Sequence, residues 1–283
     1  MKRKEIAKNT LDIIDTGFYV NTNDETIDIS TAIKESEEKA MLYTPKDFET
    51  VYLQYAKHRA GTRNFETQYE VTGETTLQAM ERLHLNERNL LCLNFASAKN
   101  PGGGFMGGAQ AQEESLARSS GLYYSISQLS TMYAVNRQTK TCLYTDHMIY
   151  SPGVPFFKND HGELLHRPYH AAVLTVPAVN AGIVKQQESQ EHIDRIDEVM
   201  MSRTEKLLMV AALQGHETLV LGAWGCGVFR NPAAKVSDYF KTHLLDNPQF
   251  NGAFKKIVFA ILHSTSAQTV ISPFREKFEN KTE

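Results

Sequence analysis

Apolar positions along the chain change period from one stretch to the next, and the changes lay out an alternation of helices and strands. From Lys2 to Asp15 the residues Ile6, Ala7, Leu11 and Ile14 recur at helical spacing, and Gly17 stands where that helix would end. A second helical pattern runs from Thr31 to Tyr43 and stops before Pro45. In "TTLQAMERLHL" Thr75 and Gln78 have capping-box spacing, and the apolar run "NLLCLNFAS" follows as a strand. The same order then repeats. "AAVLTVPAV" reads as a strand, Gln187 to Gln214 as a long helix with Ile193, Ile196, Met200, Leu207 and Ala211 on one face, and "TLVLGAW" as a strand. A helix from Pro232 to Leu245, the strand "KKIVFAILH" and a helix at "QTVISPFREKF" complete the pattern.

Strands that are apolar throughout need cover on both faces, so the pattern predicts a three-layer α/β/α sandwich. No low-complexity linker interrupts the chain. A single domain over residues 1–283 is expected, with 1–60 as an N-terminal helical extension and 61–283 as the core. Ligands of such folds lie at the carboxyl ends of the strands.

Composition narrows the function classes. With 283 residues, 41% of them hydrophobic, the chain can bury an ordinary core. Its formal net charge of -3 provides no broad basic field for nucleic acid, although a local basic patch is compatible with it. Cys92, Cys142 and Cys226 are too few and too scattered for a disulfide framework and contain no Cys-x-x-Cys pair, which points to a reducing cytoplasm. The basic start "MKRKEIAKNTLDIID" is followed by Lys8, Asn9 and Asp12 rather than by the apolar run of a signal peptide. No stretch approaches the roughly 18 apolar residues of a membrane helix. A soluble monomer is the expectation.

The chemistry concentrates in two glycine loops, each at a strand end. "NPGGGFMGGAQAQEE" places five glycines in seven positions and then two adjacent glutamates, and "GAWGCGVF", Gly222 to Phe229, follows "TLVL". Successive glycines let backbone N–H groups converge on phosphate oxygens without a basic side chain. Gly102, Gly104 and Gly107 formally match G-x-G-x-x-G, but Asn100 and Pro101 lengthen the turn, and Gln112 to Leu129 reads as helix where a dinucleotide fold needs a second strand. No Gly-Lys-Ser/Thr follows either cluster, which argues against a nucleoside triphosphatase. Glu113 and Glu114 open a helix and could simply complement its dipole. Adjacent helical residues point about 100° apart, so at most one of the two should carry the proton chemistry.

The run Gly-Gly-Gly, seven residues, Gln-Glu-Glu resembles the signature of the bacterial-type poly(ADP-ribose) glycohydrolases. The likeness extends through "LNFASAKNPGGG", "QEESLARSSGLY", "MIYSPGVPFF", "VPAVNAG" and "LVLGAWGCGVF". It implies a macrodomain-like α/β/α sandwich with a mixed central sheet that binds ADP-ribose and cleaves the ribose–ribose bonds of poly(ADP-ribose) without cofactor or metal. By position in the motif, Glu114 would be the catalytic acid and Glu113 would hold a ribose hydroxyl. Gly102, Gly103 and Gly104, with Asn100, would meet the terminal ribose, and Gln112 would be a further substrate-binding residue. Gly225, Cys226, Gly227 and Val228 would meet the diphosphate, and Phe229 would press on the ribose. An ordinary glutamate, with a pKa of about 4.3, is a poor acid near neutrality unless burial or a neighbouring carboxylate raises it, and Glu113 supplies such a neighbour. Two related functions share the motif: release of single ADP-ribose groups from protein or nucleic acid, and ADP-ribose recognition without cleavage.

Other features carry less. "HGELLHRPYH" offers His161, His166 and His170, but Pro168 argues against a metal-binding helix and favours a surface loop. Trp224 either fills core beneath its loop or lines an adenosine pocket, with packing favoured. Cys226 has no base beside it to make it a nucleophile. Tyr123 and Tyr124 could stack on adenine.

Overall fold

The computed structural model describes residues 2–61, 64–262 and 268–279. Helix α1 (Arg3–Thr16) ends at Gly17, whose φ of 78° is the left-handed cap the sequence predicts. A hairpin of β1 (Phe18–Val20) and β2 (Thr26–Asp28) leads into α2 (Ser30–Glu38), β3 (Met41–Tyr43) and α3 (Phe48–Gly61). Next come β4 (Gln68–Thr72), α4 (Thr76–Leu83) and β5 (Leu90–Phe95), with both halves of the Thr75/Gln78 capping box formed. A 3-10 turn at Phe105–Gly107 precedes α5 (Gln112–Ser119), α6 (Leu122–Ser127) and α7 (Thr131–Gln138). The long strands β6 (Met148–Lys158) and β7 (Leu164–Val176) follow, then α8 (Ala181–Gln187), α9 (Gln190–Asp194) and α10 (Ile196–Leu213). The chain closes with β8 (Thr218–Leu221), α11 (Ala233–Lys241), β9 (Lys256–Ala260) and α12 (Gln268–Phe278). The strand read over "KKIVFAILH" thus ends at Ala260, and His263 lies outside the described residues.

Seven strands form one mixed sheet in the order β3-β6-β7-β5-β8-β9-β4. The five from β7 to β4 run parallel, while β6 is antiparallel to both its neighbours. Alternate residues of the central strands enter opposite cores. Leu91, Leu93, Leu219, Leu221, Ile257 and Phe259 pack with α3 and α10 to α12, whereas Leu90, Cys92, Val220 and Val258 pack with α4 to α7. This is the predicted α/β/α sandwich, and each fully buried aliphatic or aromatic side chain in it contributes roughly 1.5–3 kcal/mol. Because β5 and β8 are adjacent and parallel, both glycine loops leave the same edge of the sheet.

Local pattern misplaced several boundaries. The helix expected to reach Tyr43 stops at Glu38, and Met41–Tyr43 instead pairs antiparallel with β6, satisfying the backbone groups that β6 would otherwise leave unpaired at the sheet edge. The helix expected over Gln187 to Gln214 is broken: Ser189 caps α9, and the Glu188 carboxylate leaves the helical path to accept from the Cys142 N–H at 2.5 Å. The helix expected over Gln112 to Leu129 is interrupted at Ser120 and Gly121, where the Gly121 N–H donates to the Pro155 carbonyl at 3.0 Å. The histidine stretch read as a surface loop is mostly strand, with His166 and His170 in β7. Pro168 is tolerated there because the β6–β7 register slips between Phe156 and Lys158, which leaves its missing N–H without consequence.

Candidate active site

Helix α5 starts beneath the first glycine loop, and its first turn divides the two glutamates between protein and cleft. Glu113 is 3% exposed: its carboxylate accepts from the Ser97 N–H at 2.6 Å and the Asn94 side-chain amide at 3.3 Å. Burial pushes its pKa up to about 8, with the Glu114 charge adding to the rise and the Ser97, Asn94 and Gly102 donors opposing it. Glu114 faces the loop, and its Oε1 accepts from the Gly104 N–H at 2.9 Å.

The glycine between them in space is Gly103. Its φ is 59°, and a Cβ there would stand 2.3 Å from Glu114 Oε1 and 3.2 Å from Glu113 Oε2. No side chain can occupy that position without moving the carboxylates. Phe105, fully buried, anchors the far end of the loop against Ala7 of α1 and Ala117 of α5.

The second loop makes the opposite wall. Gly225, with φ of 74°, lies so close to Ala178 and Asn231 that a Cβ would come within 2.6 Å and 2.7 Å of them. The Asn231 amide ties the loop down by donating to the carbonyls of Val179 at 2.8 Å and Gly225 at 3.1 Å. Trp224 is fully buried with its indole N–H on the Val176 carbonyl at 3.0 Å, so it is a packing residue. Val228 is 79% exposed and Phe229 half-buried, its ring 6.2 Å from that of Tyr144. Burial pushes the Cys226 thiol up to about 12, which leaves it inert as a nucleophile.

Between the walls lies a cleft of about 330 Å³ that brings together Glu113, Glu114, Gly225, Gly227, Val228 and Phe229. Gln112 also borders it, but its side-chain amide is engaged elsewhere: it accepts from the Phe95 N–H at 2.9 Å and donates to the Leu93 carbonyl at 2.8 Å, stitching α5 to β5. Asn100 is exposed in the turn before the glycines, with its backbone carbonyl accepting from Gly103. Tyr123 packs on Phe105 and Tyr124 hydrogen-bonds Asp15, and neither lines the cleft. Sequence reasoning passed over Asn94, Ser97 and Asn231. Only Asn94 left a signal, as a lone polar residue near the end of an otherwise apolar strand.

Beyond Phe95, Ala111, Gln112 and Ala223 the cleft continues into a second, largely apolar cavity, also of about 330 Å³, walled by Thr76, Leu77, Leu116 and Ile261. Fold and site together define a macrodomain-like α/β/α protein whose strand-end trough ends at a carboxylate pair. Residues 7–159 match the family model for the microbial-type PARG catalytic domain. A poly(ADP-ribose) glycohydrolase structure from Thermomonospora curvata is 40% identical, covers 98% of this chain and 99% of its own, and superposes with a TM-score of 0.89. One from Deinococcus radiodurans, in complex with ADP-ribose, is 44% identical over 87% of this chain and 97% of its own, with a TM-score of 0.81. No curated protein matches the chain significantly. The chain belongs to the microbial-type poly(ADP-ribose) glycohydrolase (PARG) family.

Proposed function

We propose that the chain hydrolyses the ribose–ribose O-glycosidic bonds of poly(ADP-ribose) and releases ADP-ribose, with Glu114 as the general acid and base. The observation that carries this reading is the placement of Glu114, held on the Gly104 N–H at 2.9 Å and open to a cleft whose other wall is the glycine loop of Gly225 to Phe229. In the first step Glu114 gives a proton to the departing ribose oxygen, which keeps the electron pair of the breaking C–O bond while positive charge develops on the anomeric carbon. The Glu114 carboxylate then takes a proton from water as that water adds to the carbon, and the acid is regenerated. Glu113, fixed by Ser97 and Asn94, holds a ribose hydroxyl.

Backbone N–H groups of Gly225 to Val228 receive the diphosphate, Phe229 presses on the ribose, and the apolar cavity beyond Phe95 takes the adenine. Asn100 contacts the sugar from the rim, and Gln112 serves it from behind by fixing α5. The chain acts as a monomer in this reading. Three free thiols suit the cytoplasm, and no described helix is long and apolar enough to cross a membrane. Residues 1–60 work as one domain with 61–283, since β3 extends the central sheet and α1 packs on Phe105.

The test incubates wild type and Glu114→Gln with poly(ADP-ribose) and with mono-ADP-ribosylated protein and follows free ADP-ribose by chromatography. Release from polymer by wild type alone is the expected result. Release only from the mono-ADP-ribosylated protein, or full activity in Glu114→Gln, would overturn the reading.

A further inference from the structure

The basic start of α1 meets the outer face of α5 over a small polar cavity that the reaction above does not use. It encloses about 80 Å³ behind Gln110 and Ser115 and is lined by Arg3, Arg118, Asn159 and Asp160. Arg118 is 5% exposed, yet its guanidinium donates to neutral acceptors, the Ala109 carbonyl at 2.6 Å and the Gln110 side chain. Neither arginine forms an ion pair with a carboxylate among the described residues. Asp160, the acid at the rim, is turned towards Thr75, whose hydroxyl donates to it at 2.6 Å. Burial lowers the Arg118 pKa from its ordinary value, with Glu114 one turn earlier opposing this and the nearby Arg3 charge adding to it.

The surroundings are basic as well. Lys4 and Lys8 on the same helix and Lys2 at its N-cap are exposed and likewise form no ion pair with a carboxylate among the described residues. The Lys4 Cγ lies 3.1 Å from where a Cβ of Gly108 would stand, so this basic turn rests on the glycine loop of the active site. On a chain of net charge -3 this is a local concentration of positive charge. A buried guanidinium whose direct partners are all neutral is costly, Glu114 acting on it only at longer range, and a planar fork of donors matches phosphate oxygens in pairs. The cavity shares Gln110, Ser115 and Asp160 with the apolar cavity next to the cleft, so an anion held there adjoins the bound substrate.

We propose that the Arg3–Arg118 cavity binds a phosphate of the ADP-ribose unit adjoining the one being cleaved, so that the chain grips its polymer at two diphosphates. This rests on the polymer reading of the active site. It also gives that reading a physical basis for substrate choice, because a single ADP-ribose group on a protein has no second diphosphate to offer.

Binding to the catalytically impaired Glu114→Gln protein reads the site without turnover. Affinities for ADP-ribose and for short oligo(ADP-ribose) are compared by calorimetry, with and without Arg3→Glu, and with Arg118→Gln as a second variant that keeps an amide donor for the Ala109 carbonyl. The oligomer-to-monomer affinity ratio is expected to fall about tenfold in Arg3→Glu, and the salt dependence of oligomer binding to weaken. An unchanged ratio in both variants, or equal losses for monomer and oligomer, would overturn the proposal. Failure of wild type to cleave polymer would instead overturn the glycohydrolase reading, while the binding ratio still reports on this cavity.

Discussion

Replacing Gly103 by alanine tests the active-site geometry at its tightest point. The added Cβ would stand 2.3 Å from Glu114 Oε1 and 2.9 Å from its Cδ, whereas ordinary contacts begin near 3.4 Å. Relief requires the carboxylate to retreat by about 1 Å, a displacement that can cost on the order of a hundredfold in rate. It also strains the hydrogen bond from the Gly104 N–H. The backbone contributes separately, since a non-glycine residue at a φ of 59° costs about 1–2 kcal/mol, a melting-temperature loss of a few degrees. The assay is steady-state release of ADP-ribose from polymer, paired with thermal melting. Gly107→Ala is the matched control on the same loop, because its Cβ would meet nothing within 4 Å. The expected outcome is a kcat about a hundredfold below wild type for Gly103→Ala and near wild type for Gly107→Ala. Equal kcat values in the two variants would refute the assignment of Glu114 as the acid positioned by this loop.

Two further outcomes follow from the same site. Glu113 has a folded-state pKa of about 8 against an ordinary 4.5, so its contribution to stability is complete below about pH 4.5 and is lost as pH rises through about 8. That loss is on the order of 5 kcal/mol. Urea denaturation at about pH 5 and about pH 9 should show it in wild type and show a much flatter dependence in Glu113→Gln. Gln112→Ala leaves the Phe95 N–H and the Leu93 carbonyl without their side-chain partner and should destabilise the fold by about 1–3 kcal/mol, measured by denaturant midpoint.

Local pattern carried much of the architecture because the forces behind it are local. The Thr75/Gln78 capping box, the Gly17 helix end and the apolar strands β5, β8 and β9 depend on neighbours within a few residues and on the need to cover two sheet faces. Both glycine loops were legible for the same reason. What failed depended on partners far along the chain: Met41–Tyr43 became a strand only because β6 offered an edge, and the break before α9 follows a carboxylate that reaches back to Cys142.

The glutamate pair marks the boundary most clearly. Sequence alone placed Glu113 and Glu114 at a helix start behind a glycine loop, and the helical turn of about 100° between them required different surroundings for each. Which surroundings each received was decided by tertiary structure. Asn94 at the end of β5 and the Ser97 N–H close over Glu113, while the fold of the preceding loop brings the Gly104 N–H to Glu114. Burial acts on a carboxyl group through everything packed around it, and no spacing along a chain records that.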